Sequence, residues 1–303
     1  MTIPGKTIDF VIIGTAKAGT TSLASWLGSH PDVCMSSPKE TMFFGSPRLF
    51  DQGLDYFHSH FFPHYNGEAL IGDATPAYSD WDRHPGSPKR VFNVNRNAKI
   101  IYIVRHPFKK VESSWQMYVN LSPDLVRTGK HRLYCQKARE GFAAFVSDSS
   151  LFDDFVGVCS YQYQLTFWAE QFPSENIHVM FLEDLISHRD HELSCLSDFL
   201  DISVQPLFDA DLKAENTLNQ RRKPRWFMPY LRKLRFQKLL PKSVKMRADR
   251  SGFFSVSQSS LLKPIWPDEV LVRFAEAVQA DIQQFLKAHG KNEDFYSFQQ
   301  AQV

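Results

Sequence analysis

Short apolar runs alternate with amphipathic stretches over the first two hundred residues. Phe10–Ile13, with three β-branched residues in four, predicts a buried strand. Leu23, Trp26 and Leu27 recur at i, i+3 and i+4, which predicts a helix opening at Thr20 and stopping at Gly28. Val33–Met35 reads as a short second strand, and 53–62 as a helix rich in aromatic residues. Residues 68–78 read as a strand running into a proline-kinked turn. The run Ile100–Val104 is apolar throughout, as a parallel strand buried on both faces should be. Pro107 then suits the first turn of a helix whose apolar stripe is Val111, Trp115 and Tyr118. Further on, 159–172 reads as a helix with Tyr161, Leu165 and Trp168 inward. Residues 176–185 read as a core strand with its exit, and 189–200 as a helix. A last helix over 267–288 buries Val270, Phe274, Val278 and Ile282, with Asp268 and Glu269 at the end that favours acids. Strands and helices in alternation predict an α/β fold, a parallel sheet flanked by helices on both faces. One domain over 1–303 is expected, with its core in about 8–200 and a basic segment and C-terminal helices in 201–303.

Composition adds two points. With 43% hydrophobic and 14% aromatic residues the chain has ample core material. The formal charge of +2 hides an uneven distribution: Arg221–Arg250 carries net +11, leaving −9 on the rest. Such asymmetry points to an anionic ligand or surface near one segment. Cys34, Cys135, Cys159 and Cys195 share no metal-ligand spacing and are too few for a disulfide scaffold, so a reducing compartment is expected. The first nine residues hold no long apolar region of a signal peptide. The longest apolar runs are about five residues, against the roughly 20 needed to span a bilayer. A cytoplasmic protein without a membrane span is therefore expected. The stretch 251–260 reads as a serine-rich loop.

The candidate chemistry begins where the first strand ends. A loop with glycines at 14 and 19 leads into Thr20, Thr21 and Ser22 at a helix start. The free N–H groups of a first helical turn, a glycine that blocks nothing, two threonine hydroxyls and the Lys17 ammonium together suit a phosphate. The plainer alternative is an ordinary glycine turn. The loop differs from the nucleotide-triphosphatase motif G-x-x-x-x-G-K-[ST], because Thr20 stands where the lysine belongs and the lysine has moved to 17. A cation there lies beside the outer end of a phosphate chain.

A second candidate lies at the exit of the strand 100–104. Arg105 there and Ser113 on the next helix can grip one phosphate, the planar guanidinium donating to two oxygens. A structural Arg105–carboxylate pair is the competing reading. In 36–44, Glu40 precedes Phe43 and Phe44. A carboxylate dehydrated by such rings has its pKa raised, as a general base requires, whereas an exposed Lys39–Glu40 pair is the bland reading. Asp73, Thr75 and Tyr78 stand at a strand exit, where open α/β sheets bind ligands. His58, His60 and His64 do not share a helix face, and no metal set is evident. Nucleic-acid binding is not expected, since aromatic residues hardly interleave the basic segment.

The motifs GTAKAGTTSL and RHPFKKVESS resemble the 5′-phosphosulfate loop and the 3′-phosphate element of sulfotransferases that use 3′-phosphoadenosine-5′-phosphosulfate (PAPS). KETMFF is similar to the K-E-x-H-F-F segment of the heparan-sulfate branch and its bacterial relatives, and GLDYF, GDATPAY and YQYQLTFWAEQF fit that branch over about 8–200. The resemblance implies a P-loop-like sheet and a PAPS-dependent enzyme of the EC 2.8.2 class. It implies that Lys17 contacts the bridging oxygen, and that Lys17, Ala18, Gly19, Thr20, Thr21 and Ser22 hold the 5′-phosphosulfate. Arg105 and Ser113 would hold the 3′-phosphate and Glu40 would be the base. Phe43, Phe44, Asp73, Thr75 and Tyr78 would face the acceptor. Met42 stands where the heparan-type pattern has histidine, which puts a heparan-like acceptor in doubt.

The expected reaction moves a sulfuryl group to a hydroxyl or amine by in-line displacement, without a metal. The expected acceptor is a saccharide or a small metabolite, as in natural-product biosynthesis. The acids Glu40, Asp73, Asp153 and Asp154 leave room for a cationic alkaloid. Two other readings stand beside this one: a P-loop kinase or NTPase, and a non-catalytic module binding a nucleotide or an anionic glycan.

Overall fold

The structure is a computed structural model, and it describes residues 6–121, 129–209, 222–224, 255–257 and 264–298. The chain divides into two compact units, Met1–Leu212 with Pro264–Val303, and Lys213–Lys263. The larger unit is built on five parallel strands in the order β2-β3-β1-β4-β5. These are β1 (Phe10–Gly14), β2 (Val33–Met35), β3 (Leu70–Ala74), β4 (Lys99–Val104) and β5 (Ile177–Phe181). Its helices are α1 (Thr20–Leu27), α2 (Pro47–Phe50), α3 (Gly53–Phe61), α4 (Ser87–Val94) and α5 (Pro107–Val119). Four more follow before β5: α6 (Lys130–Glu140), α7 (Phe142–Ser147), α8 (Ser149–Cys159) and α9 (Tyr161–Ala169). After β5 come α10 (Leu182–Ser187), α11 (Arg189–Leu200), α12 (Gln205–Asp209) and α13 (Asp268–Ala288).

Alternation along the central strands sets the two faces of the sheet. Phe10, Ile12, Ile101 and Ile103 join one apolar cluster with Leu23 and Leu27 of α1 and Leu193, Leu196 and Leu200 of α11. Val11, Ile13, Ile100, Tyr102 and Val104 join the other, with Phe108, Trp115, Phe155, Trp168, Phe274 and Phe285. Both faces are thus covered, and every side chain of β1 is buried, as its unbroken apolar run requires. Strand 176–185 is shorter than its apolar pattern suggests: β5 ends at Phe181, and Leu182 already starts α10.

Strand exits share one edge because all five strands run parallel. Adjacent strands lie about 5 Å apart, so the loops after β3, β1 and β4 occupy about 10 Å of that edge. The pairing of β1 with β4 shifts register between Ile12 and Gly14. Such an irregularity re-aims a strand end, and here it sits where the glycine loop begins.

In the smaller unit, the described residues form an antiparallel pair, β6 (Arg222–Pro224) with β7 (Ser255–Ser257). The latter is a strand within the stretch expected to be loop. Most of the basic segment 219–250 lies outside the described residues.

Candidate functional site

The loop after β1 turns through two glycines that meet different demands. A Cβ on Gly14 would stand 2.2 Å from Ser79 Oγ, so only glycine lets β1 approach the short 3-10 helix Pro76–Ser79. Gly19 has φ +91, the left-handed region, and caps α1 without a side-chain hydrogen bond. The N-cap residue thus offers no side-chain acceptor to the first-turn N–H groups of α1. Lys17 also has a positive φ of 72. Thr21 is half-buried, while Thr20 and Ser22 are buried against the core. Ala18 shapes the loop: its N–H donates to Thr15 O at 3.2 Å and its methyl is enclosed in the α1 face of the core.

Arg105 joins this loop directly. Its Nη1 donates to the carbonyl of Lys17 at 3.2 Å, so the exits of β1 and β4 share one hydrogen bond. Burial pushes the guanidinium pKa below its ordinary value, and the nearby Glu183 carboxylate is the largest influence opposing that. A partly desolvated cation of this kind favours an anionic ligand. The backbone here is braced by Tyr161, whose OH donates to Arg105 O at 2.6 Å. Tyr161 opens α9, where Asp281 of α13 accepts the N–H groups of Gln162 and Tyr163 at 3.0 and 2.8 Å. A carboxylate at a helix N-terminus is the favourable placement. Ser113 lies half-buried on α5, two turns beyond Arg105.

Glu183 was not singled out in the sequence. Its Oε1 accepts the N–H of His106 at 3.0 Å and its Oε2 the OH of Tyr296 at 3.2 Å. It fastens the arginine segment to the C-terminal stretch, and its position just past β5 is the signal that could have marked it.

Glu40 hangs on the exit of β3, its N–H donating to Ala74 O at 3.1 Å. Its side chain is 58% exposed and meets Lys39 Nζ at 2.8 Å. The expectation of a carboxylate dehydrated by aromatic rings is corrected here. Phe43 and Phe44 turn into the core, against Phe50, Phe57 and Tyr78, and are closed to solvent. The helices α2 and α3 and the 3-10 helix Pro76–Ser79 supply those partners, so the aromatic pair packs and does not line Glu40.

Asp73, Thr75 and Tyr78 are likewise buried and occupied with one another. Asp73 accepts from Tyr78 OH at 2.6 Å, Thr41 Oγ1 at 2.8 Å, Ser36 Oγ at 3.0 Å and Thr75 Oγ1 at 3.2 Å. Burial raises its pKa and the four hydroxyls work against that rise. Asp154 is held by Arg83 and Lys130, each at 2.7 Å, and by Tyr134 OH. Three of the four acids expected to leave room for a cationic acceptor, Glu40, Asp73 and Asp154, thus already have partners within the chain. Glu40 and Asp153 remain exposed.

A family model described as "Sulfotransferase domain" matches residues 7–290. Among curated proteins, the chain is 26% identical to the membrane-associated sulfotransferase kil1 of Dictyostelium discoideum, over 64% of this chain and 56% of that one. It is 24% identical to the human heparan sulfate glucosamine 3-O-sulfotransferase 5, over 63% of this chain and 53% of that one. The chain thus spans about half the length of these relatives. Among solved structures, a sulfotransferase from Alicyclobacillus acidocaldarius superposes with a TM-score of 0.59 at 17% identity, covering 97% of this chain and all of that one. No helix among the described residues is long and apolar enough to cross a membrane.

Proposed function

Because the chain belongs to the sulfotransferase domain family, we propose that it transfers a sulfuryl group from PAPS to a hydroxyl or amine. One observation carries the reading most: the Arg105–Lys17 hydrogen bond, which ties two cationic strand exits together. A nucleotide phosphorylated at both ends is the ligand that answers such a pair. In this reading Gly19, Thr20 and Thr21 hold the 5′-phosphate at the start of α1, and Arg105 with Ser113 holds the 3′-phosphate beside β4. Strand order supports the direction of the transfer, since Glu40 hangs on β3, on the other side of β1 from Arg105.

The acceptor oxygen or nitrogen attacks sulfur, and the bond from sulfur to the phosphate oxygen breaks. The electron pair of that bond leaves with the phosphate. Lys17 and the α1 N-terminus stabilise the charge growing there, which is worth several kcal/mol by analogy with oxyanion sites. Glu40 takes the acceptor's proton. Its exposure suits a base that must reach an incoming molecule. We propose further that 1–303 works as one sulfotransferase domain, since the family match runs across both compact units.

The acceptor proposed is a saccharide or small molecule carrying a nucleophilic hydroxyl or amine; the glucosamine acceptor named for one relative supports the saccharide class. The test is an acceptor screen with labelled PAPS, read by mass spectrometry. Gain of one sulfuryl group on an acceptor, with release of 3′-phosphoadenosine-5′-phosphate, is the expected result. Magnesium-dependent turnover of ATP with no use of PAPS would overturn the reading in favour of a kinase or NTPase.

A further inference from the structure

We propose that Asp73 is a positioning residue for Glu40, acting through Thr41 and Ser36; this rests on Glu40 being the base. Asp73 is 0% exposed and lies one residue before the end of β3. Two of its four hydroxyl partners, Ser36 and Thr41, bracket the segment that carries Glu40. The same segment is held by its backbone, with Ser36 N donating to Gly72 O at 2.9 Å and Glu40 N to Ala74 O at 3.1 Å. Both ends of a six-residue loop are thus tied to the last residues of one central strand.

Thr41 is the hinge of the arrangement. Its hydroxyl donates to Asp73 Oδ2 and accepts the N–H of Phe43 at 3.1 Å. Tyr78 OH reaches the same carboxylate oxygen and accepts the N–H of Phe44 at 3.2 Å. Glu40 and Met42, on either side of Thr41, have φ of 66 and 57. Such backbone is costly for residues with a Cβ and persists when surrounding contacts over-determine it. The carboxylate and its hydroxyls are those contacts. A buried acid could serve packing alone, yet its partners converge on the loop that offers Glu40 to the acceptor.

The experiment is a double-mutant cycle on turnover. Thr41→Val keeps the side-chain volume and removes the hydroxyl, while Thr41→Ser keeps the hydroxyl. Asp73→Asn serves as a harsher third variant, with thermal melting to check that it folds. Thr41→Val is expected to lower kcat about 10- to 100-fold, the scale on which a misplaced group costs rate. Affinity for 3′-phosphoadenosine-5′-phosphate should stay unchanged, because the Thr41 hydroxyl bonds to Asp73, Tyr78 and Phe43 and to neither cationic strand exit. Thr41→Ser should restore kcat. In a Glu40→Gln background, which is itself slow, Thr41→Val should cause no further loss.

Normal kcat in Thr41→Val overturns the proposal. So does an equal additional loss in the Glu40→Gln background, since the hydroxyl would then act independently of Glu40; both results leave Glu40 as base. Full turnover in Glu40→Gln alone removes the base assignment, and this proposal with it.

Discussion

Gly14→Ala puts the geometry of the loop under direct strain. The glycine ends β1 and its φ is not left-handed, so alanine meets no left-handed strain there. Its cost is steric. The new Cβ would stand 2.2 Å from Ser79 Oγ, 2.9 Å from Ser79 Cβ and 3.2 Å from Pro76 O. Rotation of Ser79 can swing the hydroxyl away, at the expense of its contact with Pro76 O, but cannot move its Cβ. Either the 3-10 helix Pro76–Ser79 or the end of β1 must then shift by at least half an ångström to reach ordinary contact at 3.4 Å. Overpacking of this kind costs about 1–3 kcal/mol. The lower entropy of an unfolded alanine returns about 0.4–1 kcal/mol of that. The remainder, up to about 2.6 kcal/mol, corresponds to a fall in melting temperature of up to about 4 °C for a chain of this size.

Activity should suffer more than stability. The shift displaces the phosphate loop and Tyr78 together, and misplacement on this scale costs 10-fold or more in rate. Thermal melting and steady-state kinetics on Gly14→Ala, Ser79→Gly and the double variant separate the two effects. Ser79→Gly removes both closest contacts, so the double variant should recover most of the loss caused by Gly14→Ala. A Gly14→Ala protein that melts and turns over like wild type would refute the close approach. So would a double variant no better than the single.

Further outcomes follow from other residues. Lys17→Ala should lower turnover about 10²-fold or more, the scale of losing one donor to developing negative charge; single-turnover kinetics with saturating PAPS would show it, and wild-type rates would remove Lys17 from the mechanism. Burial pushes the His178 pKa down to about 4, and its Nε2 has no hydrogen-bond partner where it stacks on Phe199. The unfolded imidazole takes up a proton near 6.5 and the folded one resists until about 4, so stability is full above 6.5 and falls as pH drops through that window. The loss is on the order of 3 kcal/mol. His178→Phe should therefore show a smaller decrease in melting temperature between pH 7 and 4.5 than wild type; an equal decrease would contradict this.

What the sequence disclosed depended on how far apart the partners lie. The strand, the glycine loop and the start of α1 fall within eighteen residues, and their pattern was legible because each constrains its neighbour. The exits at Arg105 and Asp73 were legible for the same reason, as polar residues that end apolar runs. The roles of Asp73, Phe43 and Phe44 were not. Asp73 takes hydroxyls 37 and 32 residues upstream, at Ser36 and Thr41, and no local period registers such a bond. An aromatic pair after a charged residue reads equally well as core or as binding surface. Only the arrival of Phe50 and Phe57 on α2 and α3 decides for core. Likewise, Glu183 and Tyr296 meet across 113 residues of chain. The basic segment 219–250 is the strongest charge signal in the sequence, and it lies largely outside the described residues.

Calorimetric titration of 3′-phosphoadenosine-5′-phosphate against AMP, on wild type and on Arg105→Ala, tests the central claim most directly. Two cationic strand exits joined by the Arg105–Lys17 bond predict that the doubly phosphorylated nucleotide binds wild type about 10- to 100-fold more tightly, the worth of one charge-assisted contact. In Arg105→Ala that preference should collapse. Equal affinity of the two nucleotides for the wild-type protein would contradict the account.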